Sequence, residues 1–223
     1  MCGRFSLVQD PNQLRATFAW LNIPETMGPR YNVAPTQPVA VVPNDGRNQL
    51  DFYLWGLIPF WAKDPSIGSR MINARAETLA EKPSFKSALR HRRCLILADG
   101  FYEWKQEPGM KTKTPMRIQL KDGKPFAFAG LWERWNSPDG SEVRSCTIIT
   151  TQPNDFMATI HNRMPVILPA DLTLRWIDEE SLDPQEVQSL LQPFPSEMMM
   201  AYPVSTLVNS PANDTAQVIQ PLV

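Results

Sequence analysis

Apolar residues follow two different periods along this chain, and the two do not take turns in a regular order. Leu14, Phe18 and Leu21 fall at helical spacing, and Asp10-Pro11-Asn12-Gln13 ahead of them offers an N-cap, a proline for the first turn and a glutamine to close a capping box. A core-packing helix is predicted there. Pro38-Val39-Ala40-Val41-Val42, the turn Asn44-Asp45-Gly46 and the alternation of Leu50, Phe52 and Leu54 predict a β-hairpin. Further strands are predicted at residues 94–98, 101–104, 115–120, 126–131, 144–151, 165–168 and 199–204. Lys121-Asp122-Gly123 and Pro138-Asp139-Gly140 supply turns between some of them. Short helices are predicted near residues 83–90, 154–160, 170–176 and 184–191. This order excludes a doubly wound parallel sheet. It predicts an α+β fold, a single domain over residues 1–223 with a strongly bent, barrel-like mixed or antiparallel sheet flanked by short helices.

Composition narrows the class. A chain of 223 residues supports one sizeable core, and 43% hydrophobic with 20% charged residues excludes disordered and fibrous proteins. The 22 prolines are dispersed, which fits many short elements joined by ordered loops. No window approaches the roughly 18 uninterrupted apolar residues of a membrane span, and the N-terminus lacks the features of a signal peptide, so a cytoplasmic location is expected. The net charge is only −1, but its distribution is uneven. Lys63, Arg70, Arg75, Lys82, Lys86, Arg90, Arg92 and Arg93 crowd one stretch, whereas no Lys or Arg follows Arg175. A local basic surface for an anionic ligand is predicted, with an acidic face kept away from it; uneven solvation of two surfaces is the plainer alternative.

The three cysteines show no CxxC pairing, and their odd number fits a reducing compartment. Cys94 and Cys146 head apolar runs and read as buried strand residues. Cys2 is different, because position 2 is rarely buried deep in a core. A small residue there also normally allows loss of Met1, which would make Cys2 the terminus. It would then carry an α-amine with a pKa of about 8 beside a thiol of about 8.5. The amine can condense with an aldehyde to an imine, and the thiol can close a thiazolidine ring on the imine carbon. An incidental cysteine is the alternative.

Other polar residues interrupt apolar stretches. In Met71-Ile72-Asn73-Ala74-Arg75-Ala76-Glu77, alternation turns Asn73, Arg75 and Glu77 to one side of an extended segment. Glu103 stands among aromatics in Phe101-Tyr102-Glu103-Trp104, where burial would raise its pKa as a general acid requires; a structural salt bridge is the alternative. His161 follows a predicted helix and could serve as a cap or in catalysis, while His91 reads as a surface residue. Two histidines and three scattered cysteines give no metal-ligand spacing, and no glycine-rich phosphate loop is present. No metal or cofactor is expected.

Taken in order, the segments Met1-Cys2-Gly3-Arg4-Phe5, Arg30-Tyr31-Asn32-Val33-Ala34-Pro35, Trp55-Gly56-Leu57-Ile58-Pro59, Ile72-Asn73-Ala74-Arg75-Ala76-Glu77-Thr78, Ala98-Asp99-Gly100-Phe101-Tyr102-Glu103-Trp104 and Ile160-His161-Asn162-Arg163-Met164-Pro165 resemble the SRAP family of abasic-site processing proteins. Thr150-Thr151 and Val218-Ile219-Gln220-Pro221 extend the match to the end of the chain. The resemblance implies that the Cys2 amine attacks the ring-opened sugar aldehyde of an abasic site in single-stranded DNA and that thiol closure leaves a stable covalent link. It implies that Asn73 holds Cys2, that Glu103 moves protons and that His161 assists them, also in reversal. Arg4 and Arg75 are implied to grip phosphates, and Asn32 and Arg163 to contact DNA as well. Phe60 and Trp61 would stack on or wedge beside bases, although the family pattern there has two adjacent tryptophans. The implied setting is single-stranded DNA, including that at replication forks, bound by a cytoplasmic monomer that joins the nucleoid through its DNA. Two rivals stay open: an N-terminal-cysteine amidohydrolase or autopeptidase, and a single-stranded DNA binding module without chemistry.

Overall fold

The run Cys94-Leu95-Ile96-Leu97-Ala98 is apolar at every position, which suits a strand covered on both faces. In the computed structural model, which describes residues 2–180 and 182–222, that run lies at the centre of the sheet and is wholly buried. The strands in chain order are β1 (Phe5–Leu7), β2 (Arg30–Val33), β3 (Pro38–Pro43), β4 (Asp51–Trp55), β5 (Asn73–Arg75), β6 (Arg93–Ala98), β7 (Gly100–Lys105), β8 (Thr114–Leu120), β9 (Phe126–Asn136), β10 (Glu142–Thr151), β11 (Met164–Pro165), β12 (Ile167–Leu168) and β13 (Met199–Pro203). The helices are α1 (Pro11–Thr17), α2 (Pro83–His91), α3 (Asp155–Ala158), α4 (Thr173–Trp176) and α5 (Pro184–Leu190), with several single 3-10 turns between elements.

Five strands close on themselves. β3 pairs antiparallel with β4 and β6, β6 with β9, and β9 with β10, while β10 returns to β4 in parallel at Ser145↔Leu54 and Cys146↔Trp55. The length of β9 makes closure possible, because residues 126–131 pair with β6 and residues 130–136 with β10. Alternate side chains then serve two cores. Cys94, Ile96 and Ala98 join Val41, Trp55, Phe128 and Ile148 on one face. Leu95 and Leu97 meet Leu14, Phe18, Trp176 and Leu190 on the other. A second sheet, ordered β13-β8-β7-β1-β2, lays Phe5, Phe101 and Ile118 on the first of these cores. Phe5 meets the rings of Trp55 and Phe128 edge-on at 5.1 and 5.8 Å. The bent, barrel-like mixed sheet expected from the sequence is the architecture observed.

Several elements differ in detail. The capping box at Asp10 forms, but α1 ends at Thr17, and Leu21 is buried from the loop beyond it. Residues 165–168 split into β11 and β12 because Val166 bridges two neighbours, donating to Ile149 and accepting from Ala129. Residues 170–176 divide into a 3-10 turn and α4. No helix among the described residues is long and apolar enough to cross a membrane.

Arg93 corrects the expected basic surface. It is fully buried, and its guanidinium donates to the carbonyls of Leu89, Arg90, Trp176, Asp178 and Glu180. It thereby satisfies the end of α2 and fastens residues 176–180 to it. Arg92 beside it pairs with Glu133 at 2.9 Å. Replacing Arg93 by Met keeps the apolar stem and strips these carbonyls of their donor, so urea unfolding should show a loss of about 3 kcal/mol. An unchanged midpoint would contradict this role.

Candidate functional site

The first residues run on a rail. β1 pairs with β7 at Phe5↔Phe101, and the Tyr102 N–H donates to the Arg4 carbonyl at 2.9 Å, so the pairing continues toward the terminus. Downstream, the Asp99 carboxylate accepts from the Ser6 hydroxyl at 2.7 Å and from the Val8 and Gln9 amides, and pairs with buried Arg117 at 3.1 Å. Upstream, Asn73 Nδ2 donates to the Cys2 carbonyl at 2.8 Å. Asn73 reaches it because β5 lies in parallel beside β10 at Ile148↔Asn73 and Thr150↔Arg75. The expectation of a shallow Cys2 is corrected: its side chain is fully buried in the core that contains Phe5. Burial first, and the charge of Glu103 second, push its thiol pKa far above the usual value, so the resting form is the neutral thiol. Met1, whose loss was expected, lies outside the described residues.

Glu103 shares a face of β7 with Phe101 and so looks toward the core that holds Cys2, while Tyr102 packs on the opposite face against Val204, Val208 and Val218. Only 3% of Glu103 is exposed, and burial pushes its pKa up to about 7. His161 arrives from the turn after α3. Asn154 caps that helix by accepting from the Met157 N–H at 2.8 Å, and its amide is itself anchored on the Phe194 carbonyl at 2.6 Å. The His161 N–H then donates to the Met157 carbonyl at 2.8 Å, and Nε2 lies 3.9 Å from Glu103 Oε2. Its Nδ1 faces both the N–H of Arg163 at 3.1 Å and the carbonyl of Arg163 at 3.2 Å, so either tautomer keeps a partner. Burial lowers the His161 pKa and keeps the ring neutral at pH 7. Cys2, Asn73, Glu103 and His161 thus come from four separate segments into one cluster.

The remaining expected site residues are placed less uniformly. Arg75 is exposed on the same side of β5 as Asn73, with Ala74 buried between them. Glu77 leaves that alternation, because residues Ala76–Thr78 turn into a 3-10 helix. Its carboxylate instead forms a two-pronged pair with Arg163 at 2.6 and 3.0 Å, and Arg163 also donates to the Thr150 carbonyl at 2.7 Å. Asn32 is fully buried and offers DNA no surface in this structure. Its amide donates to the carbonyls of Val208, Ser210 and Asn213, and its oxygen accepts from Arg4 at 2.9 Å. Arg4 also donates to the Val208 carbonyl, which ties the N-terminal segment to the chain's last turns.

Phe60 and Trp61 are 59% and 49% exposed on the loop after β4. The loop that displays them is held down. Gly56, at φ +133°, faces Gly68 so closely that a Cβ on either would come within 2.6 or 2.7 Å of the other's carbonyl oxygen. Trp135 Nε1 donates to the Ala62 carbonyl at 2.7 Å. Lys113, which the sequence reading missed, is exposed just ahead of β8 and acts electrostatically on both Glu103 and His161. The sequence predicts strands at residues 101–104 and 115–120 but not their pairing, and it is that pairing which brings the connecting loop to the open end of the strand that carries Glu103. Among the described residues no group of three His, Cys, Asp or Glu side chains could hold a metal ion.

The family model described as SOS response associated peptidase (SRAP) matches residues 1–211. The chain is 51% identical over 227 residues to the abasic site processing protein YoqW of Bacillus subtilis, covering 99% of each. It is 35% identical over 192 residues to the abasic site processing protein HMCES of Gallus gallus, covering 75% of this chain and 56% of that one. A crystal structure of a protein from Bacteroides thetaiotaomicron superimposes with a TM-score of 0.88 at 29% identity over 100% of both chains. With a family match that starts at the first residue and a fold shared end to end, the chain belongs to the SOS response associated peptidase (SRAP) family.

Proposed function

We propose that this protein captures abasic sites in single-stranded DNA, including those at replication forks, through a thiazolidine formed by Cys2 once Met1 is gone. The observation that carries the reading is the Asn73 hydrogen bond to the Cys2 carbonyl, which holds the first residue of the processed chain against Glu103 and His161. Relatives named abasic site processing proteins support it. The protein acts as a monomer in the cytoplasm and joins the nucleoid through the strand it holds.

The chemistry balances without a cofactor. The Cys2 amine adds to the sugar aldehyde, and Glu103 in its acid form protonates the departing hydroxyl, which leaves as water and yields the imine. The Cys2 sulfur then bonds to the imine carbon while its proton passes by way of Glu103 to the nitrogen, closing the five-membered ring. A carboxyl with a pKa of about 7 suits both directions of transfer, because it is part acid and part base at neutral pH. Asn73 Oδ1, buried without a donor among the described residues, is placed to accept from the freed amine. Neutral His161 relays the proton from Glu103 and serves in the reverse reaction. Arg75 holds backbone phosphate, Arg4 reinforces the N-terminal segment and lends its charge to the same strand, and Phe60 and Trp61 stack on the bases next to the lesion.

An imine left open would acidify the adjoining sugar carbon and favour β-elimination, a lyase outcome that ring closure suppresses. Removal of Met1 comes first, and Glu103 is the group placed to move the proton for that hydrolysis.

Three outcomes test this reading. Cys2→Ala should lose the adduct that survives heat and detergent, yet keep an imine that borohydride traps together with some strand cleavage. A normal heat-stable adduct in that variant would contradict the role of the sulfur. Freshly made Glu103→Gln protein should retain Met1 by intact mass; complete loss of Met1 would remove Glu103 from that step. The third concerns stability. A buried carboxyl whose folded pKa lies above its unfolded value stabilises the fold fully below about pH 4.5 and loses that contribution as pH rises through 7. Compared with the parent at a matched N-terminus, Glu103→Gln should therefore become progressively more stable from pH 5 to pH 8, approaching about 3 kcal/mol in urea unfolding. A difference that stays flat with pH would refute the shifted carboxyl.

A further inference from the structure

The cations around the site differ in what already occupies them. Arg163 is held by Glu77 and Thr150, Arg4 by Asn32 and Val208, and Lys105 by Glu107 at 2.7 Å. Arg75 and Lys113 are both exposed, and neither side chain has a hydrogen bond or ion pair to another described residue. They stand on different walls. Arg75 lies two residues beyond Asn73 on β5, whereas Lys113 belongs to the hairpin of β7 and β8.

The register of that hairpin fixes where Lys113 sits. Glu103 pairs with Met116 and Lys105 with Thr114, so β8 reaches its outer end two residues past the level of Glu103, and Lys113 is the next residue out. Lys105, on the same face as Glu103, pairs with Glu107, whereas Lys111 and Lys113 in the connecting loop have no carboxylate partner among the described residues, and of these two Lys113 is the one next to β8. Although burial dominates the shifts of Glu103 and His161, the charge of Lys113 contributes to both, which marks it as close to the reacting groups.

A strand that presents an abasic sugar to Cys2 carries a phosphate on each side of that sugar. We infer that Lys113 holds the phosphate on the Glu103 side of the lesion, so that the strand bridges the site between Lys113 and Arg75. A compact, rotatable ammonium suits this task, because it neutralises a phosphate without reading sequence. The assignment rests on the abasic-DNA reading above and adds to it a second anchoring point.

The test uses the full chain and a single strand carrying a tetrahydrofuran analogue, which has no aldehyde and so reports binding alone. Affinity is measured by fluorescence anisotropy across a salt series. One lost phosphate contact lowers the slope of log K against log salt by about 0.7 and weakens binding roughly fivefold at about 0.1 M salt. Lys113→Ala should show both changes, Lys113→Arg should restore the slope, and Lys121→Ala, just past the other end of β8, should match the parent. A Lys113→Ala slope equal to that of the parent overturns the assignment. In parallel, the parent protein is incubated with an aldehyde-bearing strand. Failure to form a heat-stable adduct there sinks the abasic-site reading, whereas an adduct accompanied by an unchanged Lys113→Ala slope sinks only the phosphate contact.

Discussion

A chain terminus ordinarily frays, and a frayed nucleophile gains nothing from the groups around it. Here one hydrogen bond reverses that default: Asn73 Nδ2 holds the carbonyl of Cys2 at 2.8 Å. The rest of the architecture serves this contact. β10 provides the edge on which β5 presents Asn73, β7 provides the rail for residues 2–5, and Asp99 with Arg117 locks the chain just downstream. β5 is fixed to the five-strand ring by its pairing with β10, and β7 lays Phe101 on the core that Cys2 enters.

Burial does chemical work of opposite sign on the two proton carriers. It raises Glu103 and lowers His161, so near pH 7 a carboxyl that is part acid and part base faces a neutral imidazole 3.9 Å away. The same burial keeps the Cys2 thiol protonated at rest, which also guards it against oxidation. In the proposed reaction, Glu103 is the proton acceptor beside the thiol when the imine forms.

Much of the fold was legible because long-range order left short-range marks. The capping box at Asp10, the Asn44-Asp45-Gly46 turn and the doubly apolar run at 94–98 each carry their own structural instruction, and each formed where expected. β1 and β2 left no such mark. With three and four residues they are strands only through pairing with each other and with the distant β7, a contact that periodicity cannot encode. Among the site residues, Asn73, Glu103 and His161 stood out as polar interruptions of apolar stretches, but the depth of Cys2 did not. Position 2 is core here because Phe5 carries it in, and that follows from tertiary packing alone. Asn32, Arg93 and Arg163 show the converse limit. Their residue types suggested ligand contacts, yet carbonyls and a carboxylate inside the fold take up their donors. Lys113 was hidden because an isolated lysine in a polar loop looks like every other until the strand register places it.

The central claim is that one vicinal amine and thiol, at the processed terminus, both end up on the sugar carbon. Its most direct measurement is tandem mass spectrometry of the purified protein–DNA adduct after nuclease and protease digestion, with iodoacetamide added before digestion. The account predicts that the sugar remnant sits on the peptide beginning at Cys2, added with loss of one water, and that its sulfur is closed to alkylation. A remnant on a lysine side chain, or a Cys2 peptide whose thiol still takes up iodoacetamide while the remnant is attached, would contradict it.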